Sequence, residues 1–157
     1  MENTVLLLSM QPEYAKKIFN GEKTVELRRV RPKLIAGDLV LVYASCPQKA
    51  LLGLFVVEEI LEESLEDLWQ MVKNKAGIGK NKFYSYYQGK SVGFGICLRK
   101  SQRFSKPVKL EIIRQHWAKF YPPQGYRYLK ASEVSIVESL AECQIGESYN
   151  FSEEIIS

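Results

Sequence analysis

The chain contains one histidine, His116, and three cysteines, Cys46, Cys97 and Cys143, which stand far apart with no C-x-x-C pair. A structural zinc site draws on four clustered thiolate or imidazole ligands, so no metal centre is expected. An odd number of scattered cysteines also argues for neutral or buried thiols rather than a disulfide framework. Long apolar runs are missing too. The longest, residues 50–57, is strand-sized, well short of the roughly 20 residues that a helix needs to cross a bilayer. The opening Met1-Glu2-Asn3-Thr4 lacks the basic stretch and small-residue cleavage site of a signal peptide, so a cytoplasmic protein with no membrane partner is expected. There is no P-loop, no Rossmann glycine pattern and no serine-nucleophile motif. The common nucleotide-cofactor and serine-hydrolase classes are thereby set aside, and no cofactor is expected.

What remains is a chain of 157 residues, 46% of them apolar, which suffices for one hydrophobic core and excludes general disorder. Its net charge of +4 is unevenly spread. Residues 81–130 hold eleven Lys or Arg against one acid, Glu111, whereas residues 131–157 hold six acids and no Lys or Arg. Solubility is better served by mixed charges, so a stretch this basic points to a polyanionic partner. Aromatics are interleaved with its cations: Phe83, Tyr84, Tyr86 and Tyr87 precede Arg99, Lys100, Arg103 and Lys106, and Trp117, Phe120, Tyr121 and Tyr126 surround Lys119 and Arg127. Cations neutralise phosphates while exposed rings stack on unpaired bases. Taken one at a time, the aromatics fit a core better; the basic excess as a whole fits RNA or another single-stranded nucleic acid.

Periodicity places the elements. Residues 5–8 form a short apolar strand, Pro12 opens a helix whose face holds Tyr14, Ala15, Ile18 and Phe19, and Asn20-Gly21 ends it. Residues 24–28 alternate, with Val25 and Leu27 on one side and Thr24, Glu26 and Arg28 on the other. Residues 39–44 and 50–60 are predicted strands. Ser64 and Asp67 suggest a capped helix with Leu65, Leu68, Trp69 and Val72 on one face, and residues 82–88 a second short helix. A strand follows at 91–98, residues 108–112 are ambiguous, and residues 122–125 form a rigid loop. The last segment, 131–157, reads as an extension with one added strand at 132–140 and a frayed acidic end. Four to six strands that do not alternate strictly with helices predict an α+β domain, a small curled β-sheet or barrel with short flanking helices.

The spacing G-x-K-x-x-E-x-R, formed here by Gly21, Lys23, Glu26 and Arg28, resembles the signature of the ASCH domain family, whose members have a PUA-like fold. Ser9 to Tyr14 before it, Gly37-Asp38 leading into the next strand, and the Pro123-Gln124-Gly125-Tyr126 loop support the likeness, which assigns residues 1–130 to the domain. The resemblance implies an RNA-binding module linked to translation or transcription. Some members resemble enzymes instead, either ribonucleases or amidohydrolases acting on N4-acetylcytidine. In the amidohydrolase members a nucleophilic threonine stands three residues after the motif lysine; here that position is Glu26, and Thr24 is not its equivalent.

The residues themselves suggest a polar pocket. Glu26 and Arg28 share one strand face and can contact one ligand, and Lys23, at the turn, can point over them. Lysine and arginine suit a phosphate or carbonyl oxygen, while a carboxylate accepts from a base amino group. Equally, the three could form a purely structural ion pair at a barrel mouth. Ser9, Tyr43 and Ser45 end neighbouring strands and are expected on the same cleft. Lys23 and Glu26 are the candidate catalytic groups of a hydrolase. Arg29, Gln124, Tyr126 and Arg127, together with Arg99, Lys100, Arg103 and Lys106, are candidate RNA contacts, and a free nucleoside is a further candidate ligand.

Overall fold

Six strands and five short helices form within residues 3–145, the residues that the computed structural model describes. In chain order they are β1 (Val5–Met10), α1 (Pro12–Phe19), β2 (Val25–Arg28), β3 (Leu39–Ala44), β4 (Ala50–Ser64), α2 (Leu65–Val72), α3 (Lys80–Tyr86), β5 (Val92–Lys109), α4 (Leu110–His116), β6 (Tyr126–Tyr128) and α5 (Ala131–Ala141). The strands make one mixed sheet in the order β2-β5-β4-β3-β1-β6, in which β1 and β3 run parallel and every other pair is antiparallel. This is the α+β curled sheet with short flanking helices that the pattern predicts.

Both faces of the sheet centre are covered, which is why residues 5–8 of β1 and all of β3 are unbroken apolar runs rather than alternating ones. Leu6, Leu8, Val40, Val42 and Ala44 point to a core shared with Ala15 and Ile18 of α1. Leu7, Leu39, Leu41 and Tyr43 point to the other face, covered by Ile113, Phe120, Val137 and Ala141. A third cluster joins Val25 and Leu27 of β2 to Leu68, Val72, Phe83 and Tyr87. The long β4–β5 ribbon links all three. Its register slips at three places, and each irregularity bends the ribbon so that the sheet curls. Gly53 lies at one of them, where a Cβ would stand 2.2 Å from the Gln102 carbonyl oxygen and 2.8 Å from the Phe19 ring. The curl brings the two outermost strands together: the Arg28 guanidinium of β2 lies 5.2 Å from the centre of the Tyr126 ring of β6.

Three expectations change. The strand expected at 91–98 runs on to Lys109, and the ambiguous segment divides there into strand end and helix α4. Residues 126–128 are a strand that periodicity alone did not reveal. The strand expected at 132–140 is instead the helix α5. Glu133 accepts the Lys130 backbone N–H at 2.9 Å and fixes the first turn, while Val134, Val137 and Ala141 recur at helical spacing on the second core. The expected acidic end falls outside the described residues. Among the described residues, no helix is long and apolar enough to cross a membrane.

Candidate functional site

β2 is reached through a turn that its sequence prescribes. Asn20 caps α1, Gly21 takes φ of +87°, and the Lys23 backbone N–H donates to Lys17 O at 2.9 Å. Val25 and Leu27 then enter the third core, so alternation turns Glu26 and Arg28 the other way. Lys23 is only 3% exposed. Its ammonium donates to Val25 O at 2.9 Å, to Ala76 O at 2.7 Å and to Glu26 Oε1 at 3.2 Å, and lies 5.8 Å from the centre of the Tyr14 ring. An ammonium has three N–H donors. All are committed, so Lys23 ties β2 to the loop after α2 and holds one oxygen of Glu26, rather than standing free over the strand.

The second carboxylate oxygen is less constrained. Glu26 Oε2 lies 3.9 Å from Arg28 Nη1, a loose ion pair beyond hydrogen-bond length. Arg28 is steadied by its stack on Tyr126, and Gly125 leaves it room: a Cβ there would come within 3.3 Å of Arg28 Nη2. In front of the pair is a cleft of about 620 Å³, walled by Tyr14 of α1, Leu27 and Ile78, and Asn81, Ser85 and Tyr86 of α3. Tyr86 donates its hydroxyl to Leu27 O at 3.2 Å. Burial raises its phenol above the usual 10.0, with Arg28 working against the rise, so the ring is neutral at ordinary pH. The cleft therefore sets a carboxylate acceptor beside a guanidinium donor between aromatic walls.

Of the residues singled out by sequence, Ser9, Lys23, Glu26 and Arg28 meet at this cleft, and Tyr126 supports it through Arg28. Tyr43 and Ser45 do not. The Tyr43 ring is buried on the opposite core against Phe120, with ring centres 6.5 Å apart, and Ser45 begins a turn beyond β3. Strand-end position suggested both, but Tyr43 projects from the wrong face. Alternation also splits β6, because Arg127 points to the opposite face, where it pairs with Glu133 and stacks on Trp117. Arg29 reaches Gln88 O on the exterior. Gln124, Arg99, Lys100, Arg103 and Lys106 are absent from the cleft wall, and Arg103 lies 5.1 Å from the centre of the Phe19 ring. Of the cleft residues that sequence reasoning missed, Met10, Gln11 and Tyr14 lie just before the motif, whereas Ile78, Asn81, Lys82, Ser85 and Tyr86 come from α3 and the loop before it, far from the motif in sequence. Only their aromatic or basic character marks some of them. Among the described residues, no group of His, Cys, Asp and Glu could hold a metal ion.

A sheet curled until its edges meet, with a polar cleft at the closure, is the PUA-like architecture. The ASCH domain model matches residues 8–153, and the chain belongs to the ASCH domain family. It is 30% identical to an ASCH domain-containing ribonuclease of Zymomonas mobilis over 85% of this chain and 90% of that one. The crystal structure of the ASCH protein from Zymomonas mobilis superposes with a TM-score of 0.82 at 29% identity, covering 87% of this chain and 94% of that one. Human THYN1, solved in complex with 5-methylcytosine containing DNA, shares the fold at a TM-score of 0.56 and 14% identity, over 90% of this chain and 99% of that one.

Proposed function

We propose that this protein binds single-stranded RNA and seats one base in the cleft between α1, β2 and α3. One feature carries the proposal: the free Glu26 oxygen beside the Arg28 guanidinium, 3.9 Å apart, facing an aromatic-walled space of about 620 Å³. A base edge that presents an N–H donor next to a carbonyl or ring-nitrogen acceptor matches that pair, and Tyr14 or Tyr86 supplies a stacking face. The space lies within the range of about 300–1,000 Å³ usual for small-ligand sites, so a modified base also fits. The cations of residues 81–130 outside the cleft serve the phosphate backbone.

Titration of labelled single-stranded RNA at several salt concentrations tests this, with an expected loss of log affinity of about 0.7 per neutralised phosphate for each unit of log salt. Absence of binding to every RNA tried, or affinity indifferent to salt, overturns the proposal.

The Zymomonas mobilis relative, named as a ribonuclease, favours a second reading in which the same cleft cleaves RNA. Glu26 then takes the proton of a ribose 2′-hydroxyl as its oxygen attacks phosphorus, the P–O5′ bond breaks to leave a 2′,3′-cyclic phosphate and a 5′-hydroxyl protonated by water, and Arg28 stabilises the charge gathering on the phosphate. Lys23 positions Glu26. Incubating the protein with mixed RNA and, separately, N4-acetylcytidine distinguishes ribonuclease from amidohydrolase. Turnover undiminished in Glu26→Gln would remove this site from either reaction.

A further inference from the structure

A second cavity, of about 450 Å³, adjoins the cleft and shares Tyr14, Ile78, Asn81 and Lys82 with it. Its polar equipment differs. Where the cleft holds a carboxylate beside a guanidinium, this wall carries three lysines, Lys17, Lys80 and Lys82, against one acid, Glu13. Lys17 is anchored, donating to Gly77 O at 2.9 Å and lying 5.8 Å from the centre of the Tyr14 ring, which leaves two of its three N–H groups unassigned. Lys80 and Lys82 are exposed and have no ion-pair partner among the described residues. Three ammonium groups in one concave wall repel one another, an arrangement that an anion relieves.

We propose that this second cavity is a phosphate subsite, taking the phosphate attached to the nucleotide whose base fills the neighbouring cleft. The inference rests on the base-binding reading of the cleft and sharpens it: the ligand is a nucleotide, alone or within a chain, and not a free nucleoside. Continuity is the reason. The two cavities share Tyr14, Ile78, Asn81 and Lys82, so the sugar of a base seated against Glu26 and Arg28 has a continuous path toward the lysines. Lys82 lines both spaces and is therefore within reach of a phosphate at their junction. Lysine treats a phosphate as a point charge approached from several directions, which suits either a monoester or a diester. Glu13 opposes the anion, and its effect supplies a test of opposite sign.

Calorimetric titration at low salt with the four ribonucleosides, their 3′- and 5′-monophosphates and inorganic phosphate provides the experiment. The expectation is that at least one monophosphate series binds about tenfold or more tightly than the matching nucleosides, as a charge-assisted contact requires. Lys80→Ala combined with Lys82→Ala should abolish most of that preference, and Lys80→Ala alone, which lies outside the base cleft, should weaken monophosphate binding while leaving nucleoside affinity unchanged. Both side chains are exposed, so the fold is not at risk. Glu13→Gln should strengthen monophosphate binding about two- to fivefold, the range of a single partly screened charge, with no effect on nucleosides. Nucleosides that bind as well as nucleotides, with Glu26→Gln still weakening both, overturn the phosphate subsite and leave the base cleft standing. Monophosphate binding insensitive to Glu26→Gln but lost in the double lysine variant overturns the base cleft instead. Inorganic phosphate bound as tightly as the nucleotides, or no binding by any of these ligands, overturns the inference.

Discussion

The two faces of the sheet carry nearly the same chemical groups and use them differently. On the cleft side Glu26 faces Arg28, and Arg28 stacks on Tyr126; on the other side Glu133 faces Arg127, and Arg127 stacks on Trp117. Arg127 and Glu133 are in direct contact, and the second Glu133 oxygen takes the Lys130 backbone N–H, so the pair is consumed in starting α5. Glu26 and Arg28 stand 3.9 Å apart with an open cleft before them. An ion pair with a stacked arginine is thus no mark of function by itself. What distinguishes a site is hydrogen-bonding capacity that the fold has oriented and left unspent.

That contrast can be broken most forcefully at its foundations. Phe83→Ala beneath the cleft and Phe120→Ala beneath the other face should each cost about 3–5 kcal/mol, the usual range for emptying a buried phenylalanine site. Denaturant unfolding measures both losses, and only Phe83→Ala should also weaken RNA binding at a temperature where both variants stay folded. Lys23→Ala strands Glu26 and two backbone carbonyls, and breaking a buried pair from one side costs about 3–5 kcal/mol. A Lys23→Ala protein as stable as the parent would mean that the ammonium is not the tie described above.

At Glu26 the cleft loses its acceptor and Lys23 its counter-charge, so binding is compared at a temperature where the variant stays folded. Glu26→Gln keeps the shape, and losing a charged acceptor costs about 1.5–3 kcal/mol of ligand affinity, so binding should fall roughly ten- to a hundredfold with altered base preference. Lys106→Ala, outside the cleft, should weaken binding to all sequences alike and reduce the salt slope by about 0.7. Equal effects of the two on base preference would erase the distinction between cleft and backbone contacts.

The smallest effect is expected across the sheet. Burial of Glu133 raises its carboxyl, but the Lys130 backbone N–H and the Arg127 guanidinium outweigh this and bring it below the usual 4.5. A lowered folded value stabilises the protein fully above the unfolded value, and that contribution is lost as pH falls from near 4.5 through the folded value. Glu133→Gln should cost about 1 kcal/mol, as removal of a helix cap does, flatten the acid limb of a melting-temperature profile and leave RNA binding unchanged.

Much of the architecture was legible because local rules determine it. Pro12 and Asn20-Gly21 bracket α1, the Ser64 hydroxyl does accept from the Asp67 N–H, and alternation through Val25 and Leu27 sets Glu26 and Arg28 on one face. Illegibility began where two patterns coincide. Val134 and Ile136 flanking Ser135 read as a strand, yet Val137 and Ala141 complete a helical stripe whose partner is a sheet distant in sequence. Tyr43 and Ser45 were placed at the cleft by their strand-end positions, which say nothing about which face each side chain takes.

The sequence by itself determined the family, the α+β curled sheet and the juxtaposition of Glu26 with Arg28, because a strand's two-residue period is a local property of the backbone. It could not determine the state of Lys23. Only the packed structure brings the Ala76 carbonyl and Tyr14 to that ammonium, saturates it, and turns an apparent ligand-binding lysine into the support of a carboxylate. The curl likewise decides that Arg28 meets Tyr126, and that lysines of α1 and α3 wall one cavity beside the cleft. Apart from Tyr14 with Lys23, those contacts join residues tens of positions apart, and their energies exist only once the chain has folded around them.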